Sequence, residues 1–200
     1  MSPKSEKKVP PGQEPIRAIL RWGIDHHGIS NEIPRISPEK WALTVEGQVE
    51  NPFKLNWKEF LELPHVESSN DFHCVEGWSV LDCHWKGVLF KTIAERAEPK
   101  KGSDYVNFEC SDEYTTSLEM ADLMGEETML AYQLNGKPLA PELGGPVRLI
   151  VPSKYAYKSP MWVTKIVIAS WKLLGFWELR GYNDRAEAWK NMRFDRRLRQ

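Results

Sequence analysis

The chain has 200 residues, with 27 Lys and Arg against 28 Asp and Glu, three cysteines and nine tryptophans. That length carries one domain with a sizeable core, and the near-balanced charge gives no general electrostatic case for a nucleic-acid partner. No apolar run approaches the roughly 20 residues of a membrane-spanning helix. The small, odd cysteine count needs no disulfide framework and points to a reduced, cytoplasmic compartment.

Residues 1–15 are polar, hold four prolines and lack the apolar segment of a secretory signal. They are expected to form a flexible or surface-draped arm ahead of one domain over 16–184. Trp41 to Val49 alternates at period two and stops at Asn51-Pro52, the pattern of a strand. Asn56 with Glu59 resembles a capping box that opens a short helix through Phe60 and Leu61, ending before Pro64. A second helix is predicted from Leu89 to Ala97, with Pro99 as its stop. Tyr105–Cys110, Thr128–Leu134, Val147–Val151 and the β-branched run Val163–Ala169 read as strands, with Asn135-Gly136 as a turn. Gly144-Gly145-Pro146 fits neither the dinucleotide fingerprint nor the phosphate-loop pattern. The expected class is α+β, with mixed sheets, short helices and long loops rather than alternating βαβ units. Residues 185–200 carry six basic and two acidic residues and read as a basic C-terminal strap. Its aromatics should dock on the domain while its arginines face water or a partner.

Reactive residues concentrate in Asp71-Phe72-His73-Cys74-Val75-Glu76-Gly77-Trp78-Ser79, followed by Asp82-Cys83-His84-Trp85. His73, Cys74, Cys83 and His84 could ligate zinc, but each pair is directly adjacent and adjacent side chains diverge. Cys74 could be a papain-type nucleophile, although the local signatures of those families are missing. It could also be the single thiolate ligand of a softer transition metal held mainly by a cofactor, or an inert buried thiol. If Cys74–Glu76 is extended, Glu76 shares the face of Cys74 and His73 points the other way.

The stretch Phe72-His73-Cys74-Val75-Glu76-Gly77-Trp78-Ser79 with Trp85-Lys86-Gly87-Val88 resembles the cysteine-ligand segment of the sulfite-oxidase-like molybdopterin oxidoreductases. The likeness continues in order through Pro138-Leu139-Ala140-Pro141, Gly144 to Pro152, Lys154 to Ser159, Trp162-Val163, Phe176-Trp177-Glu178 and Arg180-Gly181-Tyr182. The chain is similar over the same motifs to the catalytic subunit of protein-methionine-sulfoxide reductases, and its length matches stand-alone cofactor-domain members.

The resemblance implies the sulfite oxidase molybdopterin-binding fold and one Mo-molybdopterin, a single molybdenum on a single pyranopterin, with Cys74 as the metal's thiolate ligand. It implies cofactor contacts from Arg148, Lys154, Lys158 and Ser159, with backbone near Gly145 helping. It also implies contacts from His27, with His26 as second candidate, and from Cys110. Asp25 stands where the resemblance implies a basic residue, and Met161 where it implies a lysine or another polar group. Glu76 is implied as the carboxylate that relays a proton or orients water beside the metal. The implied activity is oxo transfer to or from a small substrate at sulfur, by a monomer exchanging electrons with a separate carrier protein. The alternative is a cofactor-free or zinc-stabilised binding module of the same fold.

Overall fold

A computed structural model describes residues 7–27, 29 and 32–195. Residues 1–6 of the arm, Gly28 beside the paired histidines, and 196–200 of the strap lie outside them. In chain order, β1 is Glu14–Pro15, β2 Ala42–Gly47 and β3 Phe53–Asn56, leading directly into α1, Trp57–Leu61. Next come β4, Val66–His73, and β5, Trp78–Leu89, which runs into α2, Phe90–Ala97. Then follow β6, Tyr105–Cys110, β7, Thr115–Glu119, and α3, Met120–Leu123. The last strands are β8, Met129–Leu134, β9, Lys137–Pro138, β10, Arg148–Ile150, and β11, Val163–Ala169.

Two sheets result. One has the order β1-β5-β8-β10, with β4 also on β5 and β9 on β8; the other has the order β3-β2-β11-β6-β7. Parallel pairs β1·β5 and β2·β11 sit among antiparallel ones, so the fold is α+β with mixed sheets and short helices, as the sequence predicts. The predicted helix cap is present: Asn56 Oδ1 accepts from Glu59 N at 3.0 Å, and Glu59 Oε2 accepts from Asn56 N at 2.8 Å. β11 matches its predicted bounds because it is paired on both edges and its β-branched residues face packed layers. The main core draws residues from both sheets, including Leu43, Val45, Phe108, Leu130, Leu149 and Ile166. A second cluster, with Phe72, Val80, Trp85, Met129 and Ile150, lies against β4, β5 and β8. Trp41, Trp85 and Trp162 are among the largest fully buried side chains, which accounts for part of the tryptophan excess.

Both chain ends lie against the domain at their described residues. Residues 7–15 are docked: Lys7 Nζ lies 2.8 Å from Asp71 and from Asp82, Gln13 is buried, and β1 pairs with Trp78 and Ser79 of β5. In the strap, Trp189 and Phe194 remain about half exposed, whereas Arg193 turns inward onto backbone carbonyls. Both aromatics still pack on the domain, with ring centroids 6.2 Å from His73 and 5.1 Å from Tyr182, so among the described residues only Arg193 departs from the expected outward-facing arginines.

Candidate functional site

Cys74 leaves the end of β4 and starts a turn rather than continuing extended. Its N–H donates to Trp78 O at 2.9 Å, and Gly77 N–H donates to Cys74 O at 3.1 Å. Gly77 has φ +107°, a conformation that favours glycine. The turn, not the alternation of a strand, brings Glu76 beside Cys74. The chain between β1 and β2 passes over this point and places His26 Nε2 2.6 Å from Glu76 Oε2. His26 is stacked on Trp22 with ring centroids 5.3 Å apart. The donor atoms of His26, Cys74 and Glu76 all lie within 4.8 Å of one another.

These residues line a cleft that opens to solvent, with about 880 Å³ of space counted out to its mouth. Its walls are largely aromatic, with Trp22, Trp78, Tyr114, Trp177 and Tyr182. Burial pushes the Cys74 thiol up to about 12, although the backbone N–H groups of Glu76 and Val75 favour its thiolate. The sulfur is thus a thiol until a cation binds it and displaces the proton.

Arg148, from β10, also lines the cleft and is 3% exposed. Its Nη1 donates to Leu143 O at 2.9 Å and its Nη2 to Ser159 O at 3.2 Å, while its Nε is buried without a partner. The guanidinium lies over the Phe72 ring at 5.0 Å. Burial draws it down to about 10, and no ion pair to it is present among the described residues. A buried cation lacking a counter-charge, with one orphaned N–H, is matched to an anionic group such as a phosphate. The cleft therefore offers what a metal-bearing pterin phosphate needs: a soft thiol at one place and an uncompensated guanidinium at another. Ser159 lines the same cleft while its Oγ accepts from Val151 N at 3.0 Å. Met161 lies there too, which makes that part of the wall apolar.

The structure does not bring all expected residues to this cleft. His26, not His27, faces it; His27 is exposed, because the bridge between Trp22 and His26 fixes which side of the loop points inward. Lys154 is buried against Asp122, 2.8 Å away. Lys158, 1% exposed, is paired with Glu178 and donates to Ser117 O at 2.9 Å. Both cations are already neutralised inside the fold and neither lines the cleft. Cys110 is buried in the core at the end of β6. Gly145 has a packing reason: a Cβ there would lie 2.1 Å from Leu139 O. His73 faces away and meets Ser79 Oγ at 2.8 Å. Among the described residues, His73, Cys83 and His84 do not join Cys74 in a metal-sized group.

Sequence reasoning missed Asp112 and Glu142, which line the cleft. Asp112 sits in the turn between β6 and β7, and burial raises its carboxyl above the ordinary range. The one available signal was its place next to the Cys110 segment. Among the described lining residues Arg148 is the sole Lys or Arg, set against Glu76, Asp112 and Glu142.

Residues 30–177 match the family described as oxidoreductase molybdopterin binding domain. The chain is 42% identical over 188 residues to the oxidoreductase YuiH of Bacillus subtilis, covering 94% of this chain and 92% of that protein. It is 29% identical over 157 residues to the protein-methionine-sulfoxide reductase catalytic subunit MsrP of Campylobacter jejuni, covering 70% of this chain and 52% of MsrP. It thus spans nearly all of the Bacillus relative and about half of the reductase subunit. Among solved structures, the sulfane dehydrogenase SoxCD of Paracoccus pantotrophus shares the fold at a TM-score of 0.67 and 21% identity, over 75% of this chain and 42% of that one.

Proposed function

The chain belongs to the oxidoreductase molybdopterin-binding domain family and is an oxidoreductase; on that premise we propose that it reduces a small, neutral S-oxide. The family implies a molybdenum cofactor. Cys74 is its thiolate ligand in this reading, and Arg148, through its unpartnered Nε, holds the pterin's phosphate. When bound, the molybdenum supplies two-electron oxygen-atom-transfer chemistry. The overall reaction breaks the S–O bond, takes up two electrons and two protons, and releases the thioether and water. Glu76 Oε2 and His26 Nε2, 2.6 Å apart at the cleft, are placed to pass a proton to the departing oxygen. Trp22, Trp78 and Trp177 wall the cleft and exclude water around the sulfur substituents. A separate carrier protein delivers the electrons. We place the reaction in the cytoplasm, a reading supported by free thiols at Cys74, Cys83 and Cys110.

One observation carries the choice of substrate. Arg148 is the cleft's sole Lys or Arg among the described residues, and three carboxylates line the same space. Once that cation is engaged by the cofactor phosphate, the remaining surroundings repel a dianion and tolerate a neutral polar S–O group. The test uses protein purified from a host that makes the cofactor. Reduced-dye-linked turnover with methionine sulfoxide or dimethyl sulfoxide is expected to exceed sulfite oxidation, read with an acceptor dye, by at least about tenfold in kcat/KM, a difference of about 1.4 kcal/mol. Sulfite oxidation as the faster reaction would overturn the reading.

A further inference from the structure

The turn that carries Cys74 is held by both ends of the chain. Three of its carbonyls each accept a hydrogen bond from a terminal segment. Cys74 O accepts from Gln13 Nε2 at 3.0 Å, Val75 O from Arg193 Nη1 at 2.9 Å, and Gly77 O from Glu14 N at 2.8 Å. Arg193 also joins the two ends to each other. Its Nη2 donates to Gly12 O at 2.6 Å and its Nε to Asn191 Oδ1 at 2.8 Å. Tyr155, whose hydroxyl donates to the same Asn191 oxygen at 3.0 Å, places its ring 5.7 Å from the guanidinium.

The space around this guanidinium is fitted to it. A Cβ on Gly12 would stand 2.9 Å from Arg193 Nη2, and one on Gly77 would stand 3.2 Å from Gly12 O and 3.6 Å from Arg193 Nη1. Two glycines at positive φ, +69° and +107°, therefore let the N-terminal arm, the turn and the fork meet at one point. Gln13 continues the contact inward, since its Oε1 accepts from Ser79 Oγ at 2.9 Å.

We infer that Arg193 is a positioning residue: it latches the C-terminal strap and the N-terminal arm onto the Cys74 turn and so fixes where the sulfur points. The inference rests on the reading of Cys74 as the metal ligand. A planar fork is required, because donors must reach the carbonyls of Val75 and Gly12 and the Asn191 side chain together; a lysine ammonium on its flexible stem cannot span them. The described residues of the two chain ends, none of which lines the cleft, become part of the site through the backbone of its turn.

The test compares the full chain with Arg193→Met and Arg193→Lys. In cofactor-free protein, both variants are expected to exchange the amide hydrogens of Glu14 and Gly77 about tenfold or more faster than wild type, the effect of losing a charge-assisted hydrogen bond. In molybdenum-loaded protein, the electron paramagnetic resonance signal of the half-reduced metal is expected to shift or split into more than one species in both variants. A merely structural contact would lower Tm and leave that signal and those amides as in wild type, and this result would overturn the inference. A wild-type chain that takes up no molybdenum would count against the reading of Cys74, while the exchange measurement would still decide the latch.

Discussion

Arg148 shows how a residue's cost identifies its role. In the fold alone it is a desolvated cation whose hydrogen bonds to Leu143 O and Ser159 O leave Nε unused. Replacing it with methionine removes that desolvated charge and also two hydrogen bonds worth about 1 kcal/mol each, so the terms oppose each other. Arg148→Met is therefore expected to change the stability of cofactor-free protein by less than about 2 kcal/mol in urea denaturation. The same variant should retain cofactor about 10- to 100-fold less well, the equivalent of one or more charge-assisted hydrogen bonds. Full cofactor retention would remove Arg148 from the phosphate site. At this scale the sequence was informative where a residue's cost is local. An arginine inside Val-Arg-Leu-Ile-Val can be read without coordinates, whereas the extended reading of Cys74–Glu76 gives way to a turn closed by Gly77. Lys154 and Lys158 could not be read that way, because the carboxylates that neutralise them, Asp122 and Glu178, lie at distant chain positions. His26 and His27 differ only in which side of a loop faces inward, which neither spacing nor composition reveals.

Among the elements, the short segments around Lys158 and Glu178 are fastened to each other beneath the cleft. Lys158 is paired with Glu178, and Thr116 Oγ1 on β7 donates to the same carboxylate at 2.7 Å. This holds Trp177, next to Glu178, in the cleft wall. Glu178→Ala leaves a buried lysine without its main partner and is expected to cost about 3–5 kcal/mol in urea denaturation. Adding Lys158→Met should recover much of the loss, whereas two additive losses would show that the pair is not coupled. β6 and β11, both predicted as strands, are paired on both edges, with a single register shift in their mutual pairing at Val163/Lys165. β5, the longest, was not predicted as a strand. It carries Asp82 at φ +54°, its partner β4 shifts register between Asn70 and Phe72, and its pairing with β8 shifts between Lys86 and Gly87. Those irregularities erase the period-two pattern that marks a strand in sequence.

For the whole molecule, the near-zero net charge conceals a local imbalance. Glu76, Asp112 and Glu142 come from three separated parts of the chain and meet at one cleft, and only the fold brings them together. Family membership and the α+β class were legible because ordered motifs survive along most of the chain. The sign of the cleft and the part played by the two chain ends were not, since each depends on contacts between distant residues: Arg193 to Gly12 spans 181 positions. The central claim is that Cys74 holds molybdenum in this cleft. Elemental analysis joined to X-ray absorption at the molybdenum edge, on protein from a cofactor-producing host, tests it most directly. The account predicts near-stoichiometric molybdenum in the wild type, and in Cys74→Ala either loss of the metal or one fewer sulfur scatterer around it. Stoichiometric zinc, no metal, or an unchanged sulfur shell in Cys74→Ala would contradict it.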